Sequence, residues 1–496
     1  MICWFLSVIV VSTFHEPWRD EVRALSIAID APSCLELPVA LKNEGHPVLW
    51  YLVLRTSYAI FGTMAVLKIM SISIGFLGTL IFFAYSPFQN FVKIFFSLSV
   101  LPIYEYLVMS RNYGISMLLF FLLAVAVEKK KHPVVIALLL SLLANTNIHS
   151  CILVVIISVG WIIQACSAAR GNKRDVFSFV LSVALVGGAV LFSLFTVMPT
   201  EESIVVSTSS LNVQTVIRAV VENLLHPGQH LDVIFLGIPA VFRDVLVLLF
   251  AVGLLVRPWV AAMFFCGVVS LGVFFSIGYS GSLRHQGVVF VFTLYCYWVT
   301  SSFSLPGKEK KGRRSRYSKP YAGIATALFS VILAGQAVGA VRKIHCDLTR
   351  EMSSSKAFGR YLTEHPKLSS AIIMAEPDLR IESLPYYAAN SIYLPREDVF
   401  RRYVRLTSEN RRKLTLGKLL KTAVRLRKEG ERDVLIALGH FGLAEQTEKP
   451  YVRTEAYGRI FTWTAEELAV FLSAAEKIVE FKSDVTNERY EIYRLK

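Results

Sequence analysis

Two adjacent carboxylates, Asp20 and Glu21, close the run His15-Glu16-Pro17-Trp18-Arg19-Asp20-Glu21, which follows directly on the first hydrophobic segment. A carboxylate held at a membrane surface suits a general base that takes a proton from an acceptor hydroxyl. Three further polar runs lie downstream: Glu44-Gly45-His46-Pro47, Ser110-Arg111-Asn112-Tyr113, and Ser282-Leu283-Arg284-His285-Gln286-Gly287. Arginine suits a phosphate, because its fork of donors matches phosphate oxygens two at a time. Arg284 beside His285 at the entrance of an apolar span is costly to bury without an anion or a carboxylate as partner. Base and phosphate holder at one lipid surface point to glycosyl transfer from a lipid-linked sugar phosphate, with a polyprenyl phosphate as leaving group.

Plainer explanations stand beside each piece. Val22, Leu25, Ala28 and Ile29 recur at helical spacing after Pro17, so the carboxylates would also suit the first turn of an amphipathic surface helix. Arg111 and Arg284 at span ends would also serve as snorkelling anchors. His46 before Pro47 fits a capped turn. His15, Glu16, Glu44 and His46 offer metal ligands within one loop, but their spacing matches no recognised ligand pattern, so no cofactor is expected and a divalent metal there is the lesser reading. Arg243-Asp244 reads as a structural ion pair.

The elements that must position these groups are membrane helices. Of the 496 residues 54% are hydrophobic and mean hydropathy is +0.52, too apolar for an ordinary soluble enzyme. Runs approaching the ~20 residues needed to cross a bilayer recur to about residue 341. Such a chain must be polytopic and helical, since lipid leaves backbone groups no other partners. Residues 1–14 read as an uncleaved first helix, because no basic start or small-residue cleavage site is present. Val48 to Phe61 reads as an interfacial helix. Spans follow at about 66–85, 91–108, 113–127, 134–143, 152–163 and 176–197, with more to 341.

The net charge of +15 reads as topology, and no nucleic-acid partner is expected. Basic clusters at Lys129 to Lys131, at Arg170, Lys173 and Arg174, at Arg257, and from Lys308 to Lys319 belong in the cytoplasm. Consistency then asks for roughly eleven crossings with the amino terminus inside. Asp20, Arg111, Asn145-Thr146-Asn147, the 199–232 loop and residues 279–287 all fall on the outer rim. Beyond about Arg342 helices alternate with short strands: a helix at 353–364, strands at 371–375 and 391–394, a long basic helix at 408–428, a strand at 434–438, a helix from Thr464 and a last strand at 488–495. That pattern predicts a small α/β domain, 342–496, outside the membrane domain 1–341 and its 15–64 outer loop. Only Cys34 and Cys346 are placed for an oxidising compartment, and a bond between them is the less favoured reading.

The runs at His15–Glu21, Glu44–Pro47 and Ser110–Tyr113, in this order and on one side, resemble the GT-C membrane glycosyltransferases. Within them the chain is similar to the protein O-mannosyltransferase and aminoarabinose transferase group over about residues 1–150. Arg284-His285-Gln286-Gly287 resembles a late motif of bacterial members. The resemblance implies that Asp20 is the base, that Glu21 takes the companion acidic position that helps place the acceptor, and that His46-Pro47 matches the family's His-Pro. It also implies a polytopic helical bundle, often with an exoplasmic carboxy-terminal domain. The chain departs in having Trp-Arg before the acidic pair, one Pro after His46, and no mannosyltransferase-type repeats, so it names neither sugar nor acceptor. The expected function is an inverting transferase on the outer face of the plasma (bacterial inner) membrane. Arg111, Arg284 and His285 would hold the donor phosphate, and Glu16, Trp18, Glu44, His46 and Tyr113 would shape the pocket. Its partners would be a polyprenyl-phosphate sugar, membrane lipids and a glycan, lipid or protein acceptor. The competing class is a lipid-linked-sugar flippase, which needs no rigid carboxylate pair outside the membrane.

Overall fold

The computed structural model describes residues 1–168, 173–204, 212–302, 314–411, 413–443, 451–483 and 485–496. Among the described residues fifteen α-helices build the first part. Those from the amino terminus to the first full span are α1 (Ile2–Phe14), α2 (Arg19–Asp30), α3 (Leu37–Ala40), α4 (Leu49–Phe61) and α5 (Val66–Tyr85). Next come α6 (Asn90–Leu98), α7 (Tyr113–Glu128), α8 (Pro133–Ala144), α9 (Ile148–Ala168) and α10 (Lys173–Val197). The series ends with α11 (Val213–Leu225), α12 (Ala240–Gly253), α13 (Pro258–Ile277), α14 (Leu283–Ser302) and α15 (Arg314–Thr349).

Among the described residues four helical stretches, Val66–Tyr85, Val176–Val197, Pro258–Ile277 and one beginning at Ala325, are long and apolar enough to cross a bilayer. Four shorter apolar helices accompany them, so helix length by itself does not yield the eleven expected crossings. Large apolar side chains cover the outside of the bundle, among them Phe177 at 70% exposure and Leu191 at 69%. Such a surface is stable only against lipid, and the chain is an integral membrane protein. Arg170 and Lys308 to Arg313, part of the basic pattern, lie outside the described residues.

Two expectations about the membrane part need correction. The span expected over 91–108 is broken. Ser99 is extended, Leu101–Glu105 forms a wide π turn with Pro102 inside it, and the chain then unwinds to Ser110. Proline removes a donor and crowds the preceding turn, and the freed carbonyls find side-chain partners, as lipid-depth backbone requires. Ser71 donates to the Leu107 and Met109 carbonyls at 2.9 and 3.1 Å. Gly114 lets the unwound chain approach, since a Cβ there would lie 2.5 Å from the Tyr106 carbonyl oxygen. The 199–232 loop contains a helix, α11, packed on α13. Cys34 and Cys346 are both free thiols.

The carboxy-terminal region begins with α16 (Ser354–Glu364), capped by the Ser353 hydroxyl. Its six-stranded sheet has the order β3-β2-β1-β5-β9-β8. These strands are β1 (Ile372–Glu376), β2 (Ile392–Leu394), β3 (Val399–Phe400), β5 (Val434–Leu438), β8 (Ala475–Phe481) and β9 (Tyr490–Leu495). A smaller sheet joins β4 (Leu414–Thr415), β7 (Arg459–Trp463) and β6 (Tyr451–Glu455). β1 and β5 are parallel neighbours with every residue buried, as the βαβ pattern demands. Helices α17 (Leu416–Gly430) and α18 (Ala465–Ala474) pack on one face of the sheet and α16 on the other. The helix expected over 408–428 starts only at Leu416, because Thr415 caps it, accepting from the Lys418 amide at 3.1 Å, and pairs with β7. The region is tied to the outer loop: α2 packs on the turn at 378–386, and Glu16 accepts from the Met352 and Ser353 amides at 3.0 and 3.3 Å.

Candidate active site

The first turn of α2 decides the site. Trp18 is its N-cap residue, and Glu21 makes the returning half of a capping box by accepting from the Trp18 amide at 3.3 Å. Glu21 is wholly buried. It also accepts from His15 Nε2 at 3.0 Å and from the Ser110 amide at 2.6 Å. His15 Nδ1 faces Asp347 at 2.7 Å, and Tyr104 donates to the same carboxylate at 2.8 Å. Burial alone would lower the His15 pKa, but Glu21 and then Asp347 outweigh it and raise it to about 9. An imidazolium between two carboxylates therefore pins α1, α2 and α15 together.

Asp20 follows one residue earlier, about 100° round the helix, and faces away from that network with its side chain 27% exposed. Its oxygens lie 3.4 Å from Arg19 Nε and 3.3 Å from an Arg284 terminal nitrogen. Arg111 donates to the Asp20 backbone carbonyl and turns its other terminal nitrogen to His46 Nε2 at 3.4 Å. Burial pushes the Asp20 carboxyl up, yet Arg111, Arg19 and Arg284 outweigh burial and hold it below the usual carboxylate range. Burial and then Arg111 push His46 down to about 3, so its ring is neutral and can accept from that arginine. At neutral pH Asp20 is an ionised carboxylate among three guanidinium groups.

Aromatic and imidazole rings form the wall beneath. Tyr106 donates to the Arg284 carbonyl at 3.0 Å and stacks on Tyr113 with ring centres 6.0 Å apart. Tyr113 meets His285 edge-on at 5.3 Å, and Tyr279 and His149 flank the same imidazole at 5.2 and 5.1 Å. His285 Nδ1 accepts from the Ser282 amide at 2.9 Å, which leaves the ring hydrogen on Nε2. The Tyr113 hydroxyl, Arg284 Nε and both nitrogens of His149 are buried with no partner among the described residues. A buried polar group left unpaired costs about 1–3 kcal/mol, so this concentration of unspent polar atoms suits a polar ligand.

The fold thus brings Asp20, Arg111, Arg284, His46, His285 and Tyr113 together. Glu21, expected to position the acceptor or the base, is turned into the protein, away from the Asp20 side of the helix. Glu16 is committed to α16, where Lys356 also reaches it at 3.2 Å. Glu44 grips Arg23 at 2.6 Å, and the Trp18 ring lies under the Arg19 guanidinium at 5.9 Å. His15, Glu16, Glu44 and His46, the lesser metal reading, each engage different partners. Arg243 and Asp244 do not pair. Arg243 donates to the Gln229 carbonyl at 3.0 Å, while Asp244 takes the Gly228 amide at 2.7 Å, since consecutive helical residues point apart. His149, Tyr106 and Asp347 were not singled out from sequence. His149 had a signal: it opens an apolar helix as His285 does.

No protein-family model and no curated protein matches the chain. Among solved structures it is similar to ArnT from Cupriavidus metallidurans, crystallised in the apo state, at 11% identity and a TM-score of 0.47. The match covers 92% of this chain and 97% of that one.

Proposed function

We propose that this chain is a membrane glycosyltransferase that moves a sugar from a polyprenyl-phosphate donor to an acceptor hydroxyl, with inversion. The observation that carries the reading is the Asp20 carboxylate, ionised and partly exposed, set between Arg284 and Arg19 and beside Arg111. The acceptor hydroxyl hydrogen-bonds Asp20 and attacks the anomeric carbon as the bond to the phosphate oxygen breaks. Its proton passes to Asp20, and the phosphate leaves with the bonding electrons. Arg111 and Arg284 receive that charge, with the Tyr113 hydroxyl and His285 Nε2 as further donors. A single displacement from the face opposite the phosphate inverts the centre. Glu21 acts through its hold on Ser110 and His15, and touches no substrate. The acceptor is a glycan, a lipid or a protein. The test is transfer by the purified chain from a polyprenyl-phosphate sugar in liposomes, together with the identity of the lipid that copurifies with it.

A pH signature follows. In the free protein three arginines depress Asp20. A bound donor phosphate draws on Arg111 and Arg284 and adds a negative charge nearby, and both changes raise a carboxylate pKa. The acidic limb of kcat, which reports the substrate complex, should therefore lie at higher pH than the acidic limb of kcat/KM. Coincident limbs would show that the donor does not compete for the arginines.

The site lies on the outer face of the plasma (bacterial inner) membrane in this reading, with the carboxy-terminal region on the same side. In a cysteine-free background, Cys34 restored alone and Lys421→Cys should each react with an impermeant maleimide on intact cells. Lys131→Cys should react only after lysis. All three positions are exposed, so access and not burial decides the result. Labelling of position 131 from outside would reverse the assigned face.

A further inference from the structure

A cavity of about 580 Å³ lies between the membrane part and the carboxy-terminal region, at a place the transfer reaction does not use. Asp30 and Met64 line it from the first, and Phe400, Arg401 and Arg402 from the second. Asp30 ends α2, so the cavity lies at the far end of that helix from Asp20, about 15 Å along its axis. Met64 sits in the short link between α4 and α5, and α5 is long and apolar enough to cross a bilayer. The last two residues of α4, Ile60 and Phe61, are 68% and 65% exposed. Large apolar side chains bared at the start of a span belong at the boundary between headgroups and acyl chains. The cavity thus stands at headgroup level.

Among the described residues three charged side chains line the cavity: Asp30, Arg401 and Arg402. Arg401 is held by the Glu397 carboxylate, which also accepts from the Arg405 amide at 2.9 Å and from Asn410 at 2.8 Å. Asp30 and Arg402 are held more loosely. Their side chains come no nearer than 3.5 Å, and the Arg402 amide lies 3.4 Å from the same carboxylate. A closed guanidinium–carboxylate bond measures about 2.7–2.9 Å, and Arg23 reaches Glu44 at 2.6 Å. The two side chains are also 25% and 43% exposed. One carboxylate and one guanidinium therefore face a single open gap across a slack contact, with Met64 and the half-exposed Phe400 as apolar surface beside them.

We propose that this cavity holds the headgroup of an aminophospholipid, with its phosphate on Arg402 and its primary ammonium on Asp30. A headgroup carrying both signs complements both side chains at once. The guanidinium fork matches the phosphate oxygens, and the ammonium donates to the carboxylate that the fork releases. An anionic headgroup would set its phosphate against Asp30 with nothing to offset the repulsion. The apolar surface at Met64 and Phe400 and the bared end of α4 receive the acyl chains, so the occupant is a lipid and not a soluble ester. The lipid would bridge the end of α2 to the end of β3, a second tie between the outer loop and the carboxy-terminal region beside the one that Arg23 makes.

The test uses the full chain in a non-ionic maltoside, cysteine-free except for Ala389→Cys, an exposed lining position that carries an environment-sensitive fluorophore. Dihexanoyl phosphatidylethanolamine and dihexanoyl phosphatidylglycerol, below their micelle concentrations, and O-phosphoethanolamine are titrated separately. The ethanolamine lipid should saturate the signal, and the other two should bind about tenfold more weakly, one lacking the ammonium and the other the chains. Arg402→Gln should weaken the ethanolamine lipid about tenfold or more, because it removes a charged hydrogen bond. Asp30→Asn should weaken the ethanolamine lipid yet tighten the glycerol lipid, because it deletes the ammonium's partner and frees Arg402 for phosphate. Arg284→Gln, which alters the transfer site, should change neither. An ion pair that only staples the two regions predicts lower melting temperatures for both cavity variants with every lipid affinity at its parental value. No saturation by the ethanolamine lipid, or binding of the glycerol lipid or the ester as tight as its own, overturns the proposal. So does parental affinity for both lipids in a folded Arg402→Gln or Asp30→Asn chain.

Discussion

Asp20→Asn is expected to slow transfer about 10²–10⁴-fold, the usual contribution of a general base, while the protein stays folded. The expectation of normal folding is specific to this position. At the start of the helix it is Glu21 that accepts from the Trp18 amide, and the Asp20 carboxylate takes no part in the cap. Its partners are the guanidinium groups of Arg19 and Arg284, and the amide oxygen of Asn can accept from either. What Asn cannot do is take the acceptor's proton. Donor affinity should hold or rise slightly, since the substitution removes a negative charge beside the phosphate and releases Arg284. Glu21→Gln is the contrasting control. It weakens the His15 and Ser110 contacts at 3.0 and 2.6 Å, so its effect should appear in thermal stability first. Transfer is assayed in liposomes with melting curves on the same preparations. Near-normal transfer by a folded Asp20→Asn sinks the mechanism.

Much of this was legible because topology and chemistry agree. The apolar spacing after Pro17 gives α2, and the basic clusters put the segments bearing Arg111 and Arg284 on one rim, where both reach Asp20 although 173 positions separate them. Adjacent carboxylates, however, look alike in sequence. Which one faces inward is settled by His15 and by the Ser110 amide, 89 positions away, and no local pattern encodes that contact. The break near Ser99 and Pro102 was hidden because hydropathy stays high through it, while the partners that make it tolerable, Ser71 and Gly114, lie on other helices. β8 escaped notice because Ala475 follows α18 without a turn residue between them. Strand character there comes from pairing with β9 and not from the segment itself.

Arg23→Ala should destabilise the chain by about 3–5 kcal/mol, because it strips the shared partner from two buried carboxylates. Arg23 holds Glu44 with two nitrogens at 2.6 and 2.8 Å, the Val404 carbonyl at 2.7 Å, and Glu382. One side chain therefore ties the outer loop to the carboxy-terminal region. The loss should depend on pH in a direction that Glu382 sets. Burial raises its carboxyl from 4.5 to about 7 against the opposing pull of Arg23. Between those two values the folded state keeps a proton that the unfolded chain has lost, so stability falls as pH rises through that window. Without Arg23 the charged form loses its main attraction, and the titration moves higher still. The deficit should thus be largest near pH 8 and shrink near pH 5.5, where Glu382 takes up a proton instead of remaining an unpaired charge. Arg23→Lys should recover only part of the loss, since a single ammonium cannot span both carboxylates and the carbonyl. The measurement is the unfolding midpoint of the parent and both variants in one detergent at the two pH values. A deficit of equal size at pH 5.5 and pH 8 would show that the buried carboxylate is not its source.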